Sequence, residues 1–149
     1  MPDLFDRSDV AAIRARVEQL RPDSVRQWGT MDPAQAAAHC AHGLEIALGD
    51  HRPPRMLIGS VIGRIIKPLA LGKGDMKRNS PTVPSLRITD ERDLTRERQR
   101  LLDTIDRFAA AGPTGVTTHP HSFFGRMTPA EWAILMHKHL DHHLRQFGV

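Results

Sequence analysis

At 149 residues, 40% of them hydrophobic and only 5% aromatic, the chain is long enough for one domain with a core that needs no disulfide or metal staple. Its 21 Lys and Arg against 17 Asp and Glu give a formal charge of +4, which tolerates acidic partners without demanding them, because the two signs alternate along the chain. One cysteine, Cys40, excludes an internal disulfide, and no apolar run approaches the roughly 20 residues that cross a bilayer.

The start, MPDLFDRSD, lacks the apolar centre of an export signal, so a cytoplasmic location is expected. Without Tyr, the core must be Leu, Ile, Val, Ala and Met, a set that favours helices over a sheet. Ser8 or Asp9 suits the cap of a first helix over Val10–Leu20, where Val10, Ile13, Val17 and Leu20 recur at helical spacing. A connection over 22–31, carrying Trp28-Gly29, leads to Asp32-Pro33-Ala34-Gln35, which combines an N-cap, a first-turn Pro and a capping-box Gln. This second helix is predicted to reach Leu48, with Gln35, His39, His42, Gly43 and Ile46 within about a third of its circumference.

His51–Pro54 breaks the chain. The stretch 56–67, MLIGSVIGRIIK, then predicts a short amphipathic helix, apolar over about half its surface. Such a face suits a lid, a dimer contact, a membrane-surface segment or a satellite helix packed on a bundle. From Pro68 to Leu86, Gly, Pro and Lys accumulate in a long irregular excursion, of a length that is usually functional or disordered. Asp90 is the expected cap of a third long helix over 91–111, closed by Gly112-Pro113 and bearing Arg and Glu on a solvated face. A loop over 112–127 delivers the chain to the last helix, which Thr128, Pro129 and Glu131 open with a second capping signature. Four substantial helices, one short one and long loops predict an all-α fold: one domain over 1–149, a four-helix bundle with an extra amphipathic helix.

The chemistry concentrates in that last helix, 128–148. Trp132, Leu135, Met136, Leu140 and Phe147 share one face, and His139 and His143 lie in its middle one turn apart. Buried imidazoles need partners, and a His pair at i, i+4 can hold one metal ion from a single helix face. His39, mid-helix on the inward side of the second helix, is the best-placed third ligand. Three neutral imidazoles leave a position open for water or substrate, as in a catalytic zinc site, where water can have a pKa of roughly 7. Hydrogen-bonded core histidines would have the same spacing, so the pattern leaves both readings open. Zinc and nickel are the expected divalent ions, although three imidazoles also accept iron or copper.

The sequence His139-Leu-Asp-His142-His143-Leu-Arg145-Gln146, joined with Gln35-Ala-Ala-Ala-His39-Cys40 on the second helix, resembles the DinB-like superfamily of small metal-binding four-helix bundles. That superfamily includes bacillithiol transferases and the mycothiol-dependent maleylpyruvate isomerase. With Trp28-Gly29, the HPHSFFG loop at 119–125 and the ending Arg145-Gln146-Phe147-Gly148, the likeness spans most of the chain and points to a branch of unknown function. The resemblance implies a metal at His39, His139 and His143. A small-molecule substrate is expected with it; members of the superfamily are variously thiol transferases and isomerases, so a low-molecular-weight thiol is one candidate second cofactor, which no motif here identifies.

Other residues carry weaker readings. His142 suits a supporting or an exposed position, and His42 could orient a ligand or act as a base, with Glu45 one turn away to hold its ring. His137 is expected in solvent and Cys40 as a small buried hydrophobe. His119 and His121 sit beside Phe123 and Phe124, which suit a pocket wall, although surface histidines fit as well. The leading expectation is a metal-dependent transferase or hydrolase; the alternative is a non-catalytic binding or oligomerisation module with structural histidines. A homodimer is compatible with the 56–67 face. Binding to nucleic acid or an anionic membrane through Arg64, Lys67, Lys73, Lys77 and Arg78 is not expected, and no recognition helix or stacking platform supports the nucleic-acid version.

Overall fold

Four of the chain's α-helices begin where a side chain takes up free N–H groups of the first turn, and one begins without such a cap. The computed structural model describes residues 1–149, with five α-helices and no strand. Helix α1, Arg7–Val17, opens on Asp6, whose carboxylate accepts from the N–H groups of Ser8 and Asp9 at 2.8 and 3.1 Å. Ser8 and Asp9 are thus capped rather than capping, and the helix starts and ends three residues earlier than expected. Helix α2, Pro33–Leu48, follows the expectation. Asp32 accepts from Gln35 N–H at 2.8 Å, Gln35 Oε1 accepts from Asp32 N–H at 3.0 Å, and Gly49 ends the helix at a left-handed φ of 88°.

Helix α3, Leu57–Leu71, runs past Lys67 and through Pro68. The proline forfeits one internal hydrogen bond, but it sits in an exposed turn where solvent can take up the freed carbonyl. Helix α4, Leu94–Ala111, starts after Asp93, which accepts from Arg96 N–H at 2.8 Å. Asp90 is no cap: its carboxylate pairs with Arg92 at 2.9 Å and its carbonyl accepts from Gln35 Nε2. Helix α5, Pro129–Gln146, has the full capping box of Thr128 and Glu131.

Helices α1, α2, α4 and α5 form the bundle, with α2 packed chiefly on α4 and α5 closing against α2 and α1. Ile13, Val17, Leu44, Leu101, Ile105, Phe108, Trp132 and Leu140 fill its centre. Helix α3 lies outside, against α5 and the loop before it. Its packed side is glycine, not isoleucine: a Cβ on Gly59 would stand 2.5 Å from the Phe123 carbonyl oxygen, and one on Gly63 would collide with the same atom. The apolar side faces outward, with Leu57, Val61, Ile65 and Leu69 at 88%, 75%, 72% and 78% exposure. No helix is long and apolar enough to cross a membrane.

The capping box of α5 should be separable from the rest of the structure. Thr128→Ala is expected to cost about 1 kcal/mol, read as a lower urea midpoint with an unchanged slope.

Candidate metal centre

Helices α2 and α5 approach where α2 is small, and the three expected ligands meet between them. A Cβ on Gly43 would already stand 3.3 Å from Cε1 and Nδ1 of His139. His39 and His139 are 3% and 9% exposed, and His143 is half-buried. Ring centroids are 4.7 Å apart for His39–His139, 4.6 Å for His39–His143 and 4.8 Å for His139–His143. One nitrogen from each ring lies within 4.8 Å of those of the other two.

Proton positions follow from the partners. The Leu86 carbonyl can only accept, so His39 Nδ1–H donates to it at 2.7 Å and His39 Nε2 keeps its lone pair. His139 Nε2 stands 2.7 Å from that lone pair and must carry the hydrogen between them. His143 Nδ1 meets Gln146 Oε1 at 2.8 Å, while Gln146 Nε2 donates to the Trp28 carbonyl at 2.7 Å. Gln146 therefore presents an acceptor to His143, whose Nε2 is left free. Two lone pairs and one hydrogen share the centre of the cluster.

This donor set suits a divalent ion. Metal-bound His usually anchors its other nitrogen on a carbonyl or amide, as His39 and His143 already do. At zinc–nitrogen distances of 2.0–2.1 Å, tetrahedral ligands stand about 3.3 Å apart. The His39–His139 contact would need to widen by about 0.6 Å, with the His139 hydrogen moved from Nε2 to Nδ1 so that the ring stays neutral. Burial holds all three rings below the ordinary histidine range, helped by repulsion from neighbouring histidines, and takes His143 down to about 3. They are neutral at pH 7, the form that binds metals.

A second group, His42, Glu45 and His51, has comparable spacing, with both rings 3.4 Å from Glu45 Oε2. There the charge is already matched. Arg100 grips Glu45 through Nε at 2.9 Å and a terminal nitrogen at 2.7 Å, then reaches Glu97 at 3.0 Å, which also pairs with Arg92. A guanidinium occupies the place a cation would take, so Glu45 anchors an ion-pair network as well as the His42 ring.

The remaining candidates separate clearly. Cys40 is buried, and burial pushes its thiol far above the ordinary range. His137 is half-buried rather than solvated, and burial lowers its pKa. His142 stands 5.0 Å from the His143 ring and 5.4 Å from Trp28. His121 is not a surface histidine. Burial and then Arg55 lower its pKa to about 4, its Nδ1 accepts from Phe123 and Phe124 N–H groups at 3.1 Å each, and its ring packs on Trp132. His119 donates from Nε2 to the Pro53 carbonyl at 3.1 Å, and neither loop histidine joins the three-ring cluster. Trp132 Nε1 is a buried donor without an acceptor.

Leu86 and Gln146 are the site residues that sequence reasoning missed. The first acts through its backbone, which no side-chain pattern reveals. For the second, the coupling of Trp28-Gly29 to the C-terminal motif was the available signal. Gly29, at φ 79°, leaves no room for a Cβ against Gln146. Leu86 belongs to the 72–93 excursion, which is tied across this end of the bundle. Lys138 donates to the Gly72 carbonyl, Asp75 pairs with Arg145, and Arg78 lies 4.2 Å over the Trp28 ring.

Fold and site together define an all-helical protein with a buried three-histidine group able to hold a metal. The chain belongs to the family described as a protein of unknown function (DUF1569), whose pattern matches residues 4–148. No curated protein and no solved structure matches it.

The depressed imidazoles fix the direction of a pH response. An unfolded chain protonates these rings near 6.5, whereas the folded cluster resists until far lower, His143 until about 3. Unfolding therefore takes up protons below 6.5, so stability is full above that pH and falls as the pH drops through the window. Thermal melts of metal-free protein from pH 7.5 to 5 should show this fall, with a shallower dependence in His143→Leu.

Proposed function

We propose that the chain is a metal-dependent enzyme of the DinB-like kind, with His39, His139 and His143 as ligands of one zinc or nickel ion and a small molecule as substrate. The observation that carries this is the pair of anchored Nδ1 atoms, which aim the free nitrogens of His39 and His143 at a shared point beside His139. A bound divalent ion would supply a lowered pKa to a thiol or a water in its open position. The protein's own part is to hold three neutral rings, keep water scarce around them, and screen the site with the 72–93 loop. Transfer of a low-molecular-weight thiol to an electrophile and hydrolysis of a small substrate both suit such a centre.

The direct His139-to-His39 hydrogen bond favours a second reading, since it satisfies two imidazoles without a metal. The chain would then be a non-catalytic binding or oligomerisation module with structural histidines.

Elemental analysis of tag-free protein separates the two. The enzyme reading expects near-stoichiometric zinc or nickel in the parent and little in His39→Ala or His139→Ala. A parent that stays empty after incubation with either ion would leave the rings as core residues, and His139→Leu would then cost only what a core substitution costs.

The reaction class is open to a second measurement. Loss of a reactive electrophile such as chlorodinitrobenzene, followed with and without added thiol, should depend on the thiol if the enzyme is a transferase. Ester or amide turnover with no thiol present would assign it to hydrolysis.

A further inference from the structure

The outward side of α3 has no role in the bundle or the metal centre. Leu57, Val61, Ile65 and Leu69, spaced four apart, form an exposed aliphatic ridge, widened by Ile58. Core packing does not account for it, because Gly59 and Gly63 make the contact with the Phe123 loop. An exposed ridge of this length marks a surface that is covered in use.

Charge indicates by what. Residues 51–74 carry Arg52, Arg55, Arg64, Lys67 and Lys73 and no Asp or Glu. On the helix, Arg64 borders the ridge and Lys67 lies one turn further along, against the loop before α5, where it donates to the Arg126 carbonyl. Between α3 and that loop lies a cleft of about 660 Å³ whose lining includes Arg55, Arg64, Lys67, Arg126 and Phe124. Of the four cations only Lys67 has a carboxylate, Glu131 at 2.8 Å. Arg55 donates to the neutral carbonyls of His121 and Ser122, and Arg64 and Arg126 form no ion pair.

We propose that α3 and this cleft dock the protein on an anionic phospholipid bilayer, the ridge entering the acyl boundary and the cleft receiving headgroup phosphates. An aliphatic face bordered by Arg and Lys is the pattern of a helix lying in the membrane interface. At 15 residues, α3 lies on the surface and does not span it. A second copy meeting ridge to ridge would bring the Arg64 side chains of both copies to the same interface with no carboxylate on either helix. Nucleic acid would leave the aliphatic ridge in water.

Vesicle flotation of the full chain tests this. Binding is expected to vesicles of phosphatidylcholine mixed with phosphatidylglycerol, and to weaken on the order of tenfold on phosphatidylcholine alone or in high salt. Val61→Glu/Ile65→Glu and Arg64→Glu/Arg126→Glu should each lose it, with helical circular dichroism unchanged because all four side chains are exposed. His39→Ala should keep it, which separates this surface from the metal reading. Absent binding, or equal binding to neutral vesicles, would overturn the proposal. So would a solution dimer that Val61→Glu dissociates, since a second copy would then be the occupant.

Discussion

Three neutral imidazoles packed between α2 and α5 set the terms for much of the surrounding structure. Buried rings cannot be left with open hydrogen-bonding positions at low cost. Leu86 supplies one carbonyl, Gln146 one amide oxygen, and His39 and His139 share one hydrogen bond between themselves. Each outside partner then needs its own support. Gln146 is held by the Trp28 carbonyl, so the Trp28-Gly29 turn must lie against the end of α5. Leu86 is held by a 3-10 turn over Pro84–Leu86, so the long excursion must cross the bundle. Loop and turn are consequences of the histidines as much as coverings for them.

The same accounting explains how much of this was legible beforehand. Capping chemistry is local, and where one residue alone could cap, as at Asp32 and Thr128, the boundary came out to the residue. Where several acidic or hydroxyl side chains compete, spacing cannot choose among them. Asp6 prevails over Ser8 and Asp9 because it reaches two N–H groups at once, and Asp93 prevails over Asp90 because Asp90 serves Arg92. Helical periodicity placed His39, His139 and His143 on facing sides, since a ring's face depends only on its position in its own helix. The direction of α3 could not be read that way. Its glycines and its isoleucines both form stripes, and only the close approach of the Phe123 carbonyl decides that the glycine stripe turns inward.

His121 shows a different limit. Its neighbours, Pro120 and Gly125, mark a loop, and loop histidines are usually at the surface. The backbone folds back on itself, His121 and Gly125 exchanging hydrogen bonds at 2.8 and 3.0 Å, and the ring turns in to cap the Phe123 and Phe124 N–H groups. Such a turn is a local hydrogen-bonding solution with no periodic signature. What it achieves is tertiary: it presents the Phe123 carbonyl to α3 and the ring to Trp132.

The two histidine groups solve one electrostatic problem in opposite ways, and the contrast bears on which can accept a cation. At Glu45 a carboxylate is present, so the fold supplies Arg100, and the histidines stand around a charge that is already balanced. At His39, His139 and His143 no carboxylate enters the cluster, and burial suppresses protonation, so the group has neither net charge nor a resident counter-ion. A dication arriving at the first must displace a guanidinium held by two hydrogen bonds. At the second it needs only that His139 move its hydrogen from Nε2 to Nδ1, with no charged group displaced. The absence of acidic residues is what keeps the three-ring cluster available to a cation.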